Sequence, residues 1–174
     1  FIETPSNPMM LVSDIGAIAA LAHARGALLA VDNTFLSPHF QKPLTLGADI
    51  VVHSGTKYLC GHNDVIAGFL VVREAASELA RRIDRLIVSS GPMLSSMDAW
   101  LMLRSLKTLG VRVERQAANA LAIASWLRTQ PRVQAVYYPG LPDHPGHALQ
   151  ERQATGSGGM VSFKVDSAAL AQAM

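Results

Sequence analysis

Between Phe1 and Val31 the chain spells strand, helix, strand, and this order restricts the fold more than any other feature. FIETPSNP begins as a short strand and runs into a turn, because Pro5 and Pro8 disfavour helix in the residues before them. Ser13 or Asp14 then offers an N-cap, and Ile15, Ile18, Leu21 and Ala22 recur at helical spacing. Gly26 suits the C′ position that ends such a helix. ALLAV at 27–31 lacks alternation, which predicts a strand buried on both faces. A strand–helix–strand unit predicts neighbouring parallel strands and an α/β fold.

The pattern continues less regularly. Residues 39–48 read as a short helical connection ending at Gly47, followed by strands IVVH (50–53) and GFLVV (68–72). Residues 75–88 form an amphipathic helical pattern that Gly91 and Pro92 break. Helical stretches at 97–109 and 111–129 are separated near Gly110, and Pro131 closes the second. VQAVYYP (133–139) and MVSFKV (160–165) read as strands, with one short helix at 146–153 between them. A composition shift near residue 110 divides the chain into a large α/β domain at 1–109 and the start of a smaller α+β domain at 110–174. Phe1-Ile2 already reads as strand, and DSAALAQAM at the other end begins a helix without a cap. The expectation is a fragment of a longer subunit.

Charged residues are 16% of the 174 and apolar residues 49%, which excludes disorder and fits a well-covered core or a large interface. The net charge is only +2, without a basic stripe, so nucleic acid is not an expected partner. No apolar run reaches the roughly 18 residues of a membrane span. The single cysteine, Cys60, cannot form an internal disulfide, and a cytoplasmic setting is expected.

The chemistry concentrates in DIVVHSGTK (49–57), where a strand delivers a lysine through a small-residue turn. Lys57 is either a surface lysine or an amine tuned for Schiff-base chemistry. Ser54, Gly55 and Thr56 favour the second reading, because hydroxyls and exposed N–H groups make a phosphate nest. A phosphate beside a Schiff-base lysine is what pyridoxal phosphate requires. Asp32 follows the preceding strand, at the carboxyl edge where open parallel sheets bind ligands. It is a turn residue or the partner of a protonated pyridine nitrogen. Asn7 reaches the same edge as a turn former or an amide donor to the ring oxygen.

His53 and His62 lack the converging partners zinc needs, as do Asp143, His144, His147 and Glu151 in their Pro-Gly loop, so no metal is expected. Cys60 reads as a buried, inert thiol.

Taken together, ETPSNP (3–8), VDNTF (31–35), LGADIVVHSGTKYLCGHNDVIAG (46–68), LRSLKTLGVRVERQ (103–116), VYYPGLPDHPGH (136–147) and GSGGMVSF (156–163) carry a family resemblance. The chain resembles the Cys/Met-metabolism enzymes that depend on pyridoxal phosphate, the transsulfuration group of cystathionine synthases and lyases, methionine γ-lyase and homoserine-ester sulfhydrylases. The resemblance implies fold type I, a mostly parallel sheet covered by helices. It implies that Lys57 is the Schiff-base lysine, Asp32 the partner of the pyridine nitrogen, Ser54 and Thr56 holders of the phosphate, and Asn7 a neighbour of the ring oxygen. Many members have alanine where this chain has Gly55.

The family's aromatic ring that stacks on the cofactor, its glycine-rich phosphate loop and its substrate-carboxylate arginine fall in segments that this sequence does not include. The resemblance also implies a homotetramer of catalytic dimers and a sulfur-containing amino acid or activated homoserine as substrate. Cystathionine β-elimination is the leading reaction, with γ-replacement and γ-elimination as alternatives. An assembly module without catalysis is the alternative of another class.

Overall fold

The computed structural model describes residues 1–75 and 77–173. Residue 76, within the helix expected at 75–88, and residue 174, at the end of the last helical pattern, lie outside the described residues.

One sheet carries β1 (Ile2–Glu3), β2 (Ala30–Asp32), β3 (Ile50–Ser54) and β4 (Gly68–Val72), in chain order. The first three are parallel, with Ile2 opposite Val31 and Val31 opposite Val51. β4 returns antiparallel to β3, with Val51 opposite Val71. Residues 55–67 between them form turns and contain no helix, so the chain has no crossover that would bring β4 back parallel.

Helix α1 (Ile15–His23) joins β1 to β2. Asp14 caps it, accepting the Ala17 N–H at 2.9 Å. Gly26 ends it as expected: at φ 66° it donates to His23 O while Ala27 N–H reaches Ala22 O, both at 3.0 Å. The expectation for ALLAV is corrected. Leu29 and Val31 are buried under Ile15 and Ala19 of α1, but Leu28 is 57% exposed and the strand begins only at Ala30. The sheet is covered on the α1 side alone at this point, so residues pointing the other way stay open.

The connection expected at 39–48 is α2 (Ser37–Phe40) followed by a 3-10 turn at Pro43–Leu46. Gly47 closes that turn at φ 109°, where a Cβ would stand 2.8 Å from the Ala19 Cβ. α3 (Glu78–Ser90) starts at the Ser77 cap and buries none of its residues.

α4 (Ser96–Leu106) and α5 (Leu109–Leu127) meet at Lys107-Thr108, so the break expected at Gly110 lies earlier. Lys107 and Thr108 turn through N–H bonds to Arg104 O and Ser105 O, and Gly110 stays inside α5, where an added Cβ would approach the His39 ring at 3.4 Å. The remainder is β5 (Val133–Tyr137), α6 (His147–Gln153), β6 (Ser162–Val165) and α7 (Ala168–Ala173), with β5 and β6 antiparallel in a second sheet.

Helix α5 belongs to two cores. Leu109 and Val113 pack with Leu36, Leu59, Cys60 and Met102, while Ala120 and Ala124 pack with Tyr138 and Leu141. Each buried Leu, Val or Met there contributes roughly 1.5–3 kcal/mol, enough to hold both bodies to one helix. Among the described residues no helix is long and apolar enough to cross a membrane.

Candidate active site

The three parallel strands finish at one edge of the sheet, and each is followed by a residue with reactive or polar chemistry. Asp32 is the last residue of β2, and Ser54 is the last of β3. Asn7 follows β1, with its N–H on Glu3 Oε2 at 3.1 Å. Asp32 pairs with Val52, so strand alternation puts Asp32, Val52 and Ser54 on one face and Val31, Val51 and His53 on the other.

One hydroxyl joins the second and third strand ends. Thr34 Oγ1 donates to Asp32 Oδ1 at 2.6 Å and accepts the Ser54 N–H at 2.8 Å. The Thr34 N–H donates to the same carboxylate oxygen at 2.9 Å. The Asp32 carboxylate is therefore tethered through Thr34 to the start of the lysine turn.

That turn is closed by its own backbone. Lys57 N–H donates to Ser54 O at 3.2 Å, Gly61 N–H to Lys57 O at 2.7 Å, and Cys60 N–H to Gly55 O at 2.9 Å. The Lys57 side chain is exposed and has no hydrogen bond or ion pair among the described residues. The main chain thus sets only the point from which the amine reaches. Thr56 Oγ1 accepts the Ala67 N–H at 3.0 Å and has only a 3.4 Å contact with Ala67 O, so its proton is largely available to an incoming anion. The Ser54 hydroxyl has no partner among the described residues. A carboxylate for a protonated ring nitrogen, a free amine and two hydroxyls on consecutive strand ends fit the donor set that pyridoxal phosphate needs.

Gly55 also has a packing reason. A Cβ there would fall 2.5 Å from Phe69 Cε2 and 3.0 Å from the Ala67 Cβ, because antiparallel β4 lays Phe69 over the turn. His53 is buried, and burial lowers its basicity against the opposing pull of the Asp32 charge and the Asn33 backbone. Among the described residues its Nδ1 is without a partner, as is Gln41 Oε1 on the same cavity of about 290 Å³. Cys60 is fully buried, its thiol on Asp64 Oδ1 at 2.9 Å.

A roomier cavity of about 660 Å³ lies between α5 and α6, away from the strand ends. The acids on its wall are paired with imidazoles, His39 with Glu114 at 3.1 Å and His147 with Glu151 at 3.5 Å. On this wall Gln150 Oε1 lacks a partner among the described residues, whereas the free amine and the Ser54 hydroxyl lie at the strand edge. Among the described residues no three His, Cys, Asp or Glu side chains gather as a metal site.

Sequence reasoning missed Thr34 and also Arg112, on α5, whose guanidinium holds Tyr58 O at 2.9 Å beside the lysine. A basic residue in the first turn of a helix opposes the macrodipole, and that misfit was the available signal.

Comparison with known proteins places the chain in a family. The family model described as Cys/Met metabolism PLP-dependent enzyme matches residues 1–174. Cystathionine gamma-lyase of Bacillus subtilis (strain 168) is 50% identical over 167 residues, 96% of this chain and 44% of that protein. The chloroplastic cystathionine beta-lyase of Arabidopsis thaliana is 49% identical over 172 residues, 99% of this chain and 37% of that protein. The crystal structure of cystathionine gamma synthase from Xanthomonas oryzae pv. oryzae, in complex with aminoacrylate and cysteine, superposes with a TM-score of 0.94 at 47% identity. It covers 99% of this chain and 44% of that one. The chain thus spans less than half the length of these relatives. Its sheet of parallel strands with helices is part of the fold type I arrangement, and pyridoxal phosphate is the cofactor of the matched family. By sequence along its whole length and by the course of its backbone, the chain belongs to the Cys/Met metabolism PLP-dependent enzyme family.

Proposed function

We propose that this chain contributes the cofactor-holding half of an enzyme that makes or breaks a C–S bond in a sulfur-containing amino acid. The observation that carries the reading is the Asp32–Thr34–Ser54 linkage, which ties a carboxylate to the turn bearing Lys57 at the carboxyl edge of adjacent parallel strands. When bound, pyridoxal phosphate supplies an electron sink for a carbanion at the substrate Cα. Asp32 keeps a proton on the ring nitrogen by its negative charge. Ser54 and Thr56 would donate to the phosphate, and Asn7 would be the amide donor to the ring oxygen. The Lys57 amine would hold the cofactor's aldehyde carbon and, when free, would serve as the base that takes the substrate Cα proton and the acid that returns it.

Cystathionine β-elimination is the leading reaction. γ-Elimination and γ-replacement use the same residues and are the alternatives, and the likeness to a gamma-lyase at 50% and a beta-lyase at 49% supports both directions nearly equally. The same reading divides the chain at residues 109 and 110, with α5 as the linking helix, and takes the protein as cytoplasmic. A homotetramer of catalytic dimers is supported by exposed apolar side chains on α3, α4 and α5, including Leu86, Trp100, Leu103, Val111 and Trp126.

The test is product analysis with the full-length protein. Supplied with cystathionine, a β-lyase releases pyruvate and a γ-lyase 2-oxobutyrate. With O-acyl homoserine and cysteine, a γ-synthase forms cystathionine. Visible absorbance on adding pyridoxal phosphate, lost in Lys57→Ala, is expected in every case. Absence of that absorbance, or its persistence in Lys57→Ala, overturns the proposal.

A further inference from the structure

Among the described residues the exposed Lys57 side chain has no partner to aim it, so whatever fixes the backbone of its turn fixes the point from which the amine reaches. Besides its internal hydrogen bonds, the turn is gripped at the next residue. Arg112 Nη1 donates to Tyr58 O at 2.9 Å, Nη2 to Ser105 O at 3.1 Å, and Nε to Thr108 Oγ1 at 3.0 Å. Gly61 lies flush against this guanidinium. Its φ is 71°, and a Cβ would overlap Arg112 Nη1 at 1.9 Å. Ser105 O, at the carboxyl end of α4, where a cation is well placed, also accepts the Thr108 N–H and hydroxyl, each at 3.1 Å. From the other side, a Cβ on Gly159 would fall 3.0 Å from Tyr58 Oη and 3.0 Å from Gln116 Cβ. His62 Nδ1 adds a tether to Cys60 O at 2.6 Å and Ser105 Oγ at 3.2 Å.

We infer that Arg112 is a positioning residue for Lys57: its fork staples the turn after β3 to the α4–α5 junction, with Gly61 as the seat that admits it. The aim of the amine is thereby coupled to helix α5, which packs in the larger body at one end and against Tyr138 at the other. The inference rests on the proposed role of Lys57 for its chemical consequence, but the staple itself does not.

The test compares the full-length protein with its Arg112→Gln and Arg112→Lys variants. Arg115→Gln, an exposed neighbour on the same helix, is the control. Without cofactor, amide exchange at Cys60 and Gly61 is expected to rise at least about tenfold in Arg112→Gln and to stay unchanged in the control. Arg112→Lys keeps the charge but cannot span both carbonyls, and is expected to follow Arg112→Gln. After addition of pyridoxal phosphate and borohydride, peptide mapping reads the share of label on Lys57 against Lys42, Lys107 and Lys164. That share is expected to drop several-fold with the turn loosened.

Unchanged exchange at Cys60 and Gly61, an equal rise in β5 and β6, or the same rise in Arg115→Gln overturns the staple. Loosened exchange with undiminished labelling of Lys57 overturns its aiming role. If Lys57 takes no preferential label even in the unsubstituted protein, the proposed function fails while the exchange arm still decides the staple.

Discussion

Replacing Thr34 by Val removes one hydroxyl and keeps the branched shape, and the structure says what that costs. The hydroxyl donates to the Asp32 carboxylate at 2.6 Å and accepts the Ser54 N–H at 2.8 Å, and the residue is only 7% exposed. A hydrogen bond to a charged group is worth roughly 1.5–3 kcal/mol, and a buried N–H left without an acceptor costs roughly 1–3 kcal/mol. Two features reduce the sum. Asp32 keeps the Thr34 N–H at 2.9 Å, and the new methyl recovers about 0.8 kcal/mol of burial. A net loss of about 2–3 kcal/mol is expected, in urea unfolding of the cofactor-free protein. The same free energy, if it appears as local opening, raises exchange of the Ser54 amide roughly thirtyfold or more. Asp32→Asn in a double-mutant cycle should couple to Thr34→Val by about 1 kcal/mol or more, since the two groups touch. A loss under about 0.5 kcal/mol, or strict additivity with Asp32→Asn, would refute the linkage between carboxylate and lysine turn.

Gly55→Ala is expected to destabilise by roughly 1–3 kcal/mol through overpacking against Phe69. Phe69→Leu in the same molecule should restore most of that loss in thermal or urea unfolding, and no restoration would point to backbone strain instead. Asp49 makes an acid-sensitive joint. Burial acts to raise its carboxyl, but the Leu29 N–H, His23 and Arg73 outweigh burial and hold it below the ordinary 3.8. Its contribution is therefore complete above 3.8 and is lost as pH falls below that value; Asp49→Asn should flatten this part of the acid limb of a urea-midpoint profile. Tyr138 makes the alkaline counterpart. Burial, then the nearby Tyr58, pushes its hydroxyl from 10.0 up to about 12, with the proton held on Gly158 O at 2.9 Å. The unfolded chain loses that proton first, so stability should fall as pH rises from 10.0 towards 12, and Tyr138→Phe should reduce the slope.

The candidate site was legible in the sequence for the residues that bring a reagent group, and the reason is chemical. Asp32 at a strand end and Lys57 after a hydroxyl-rich turn carry charge, and the order of the strands alone brings them to one edge. Asn7 follows by the same topology. The helices were also legible where a cap has a local signature, as at Asp14, Gly26 and Ser77. What failed depended on partners distant in sequence. Gly110 reads as a breaker, yet His39 fills the space its missing side chain leaves. Leu28 reads as core, yet nothing among the described residues covers its side of the sheet. Gly55 reads as part of a phosphate nest, with no sign in the sequence that Phe69 on β4 also fills the place of its missing side chain.

The residues that aim the reagents were the least legible, because they act on backbone atoms. Thr34 holds the Ser54 N–H from 20 positions away, and Arg112 holds the Tyr58 carbonyl from 54 positions away. Every residue offers the same amide, so the held position carries no mark in the sequence. Only the holder can betray itself, by standing where local rules disfavour it. Arg112 does so, as a cation in the first turn of α5, where the macrodipole opposes it by roughly 0.3–1 kcal/mol. The carbonyls of Tyr58 and Ser105 offset that cost, so removing them as acceptors should leave Arg112 a liability to its own helix. Gly61 tests this without touching the arginine. Gly61→Ala denies the guanidinium its seat, and the misplaced charge should then destabilise α5 as well as the turn. Fraying of the first α5 amides in Gly61→Ala, reversed by adding Arg112→Ala, would show that the lysine turn and the helix are held by one cation; fraying that persists in the double variant would separate them.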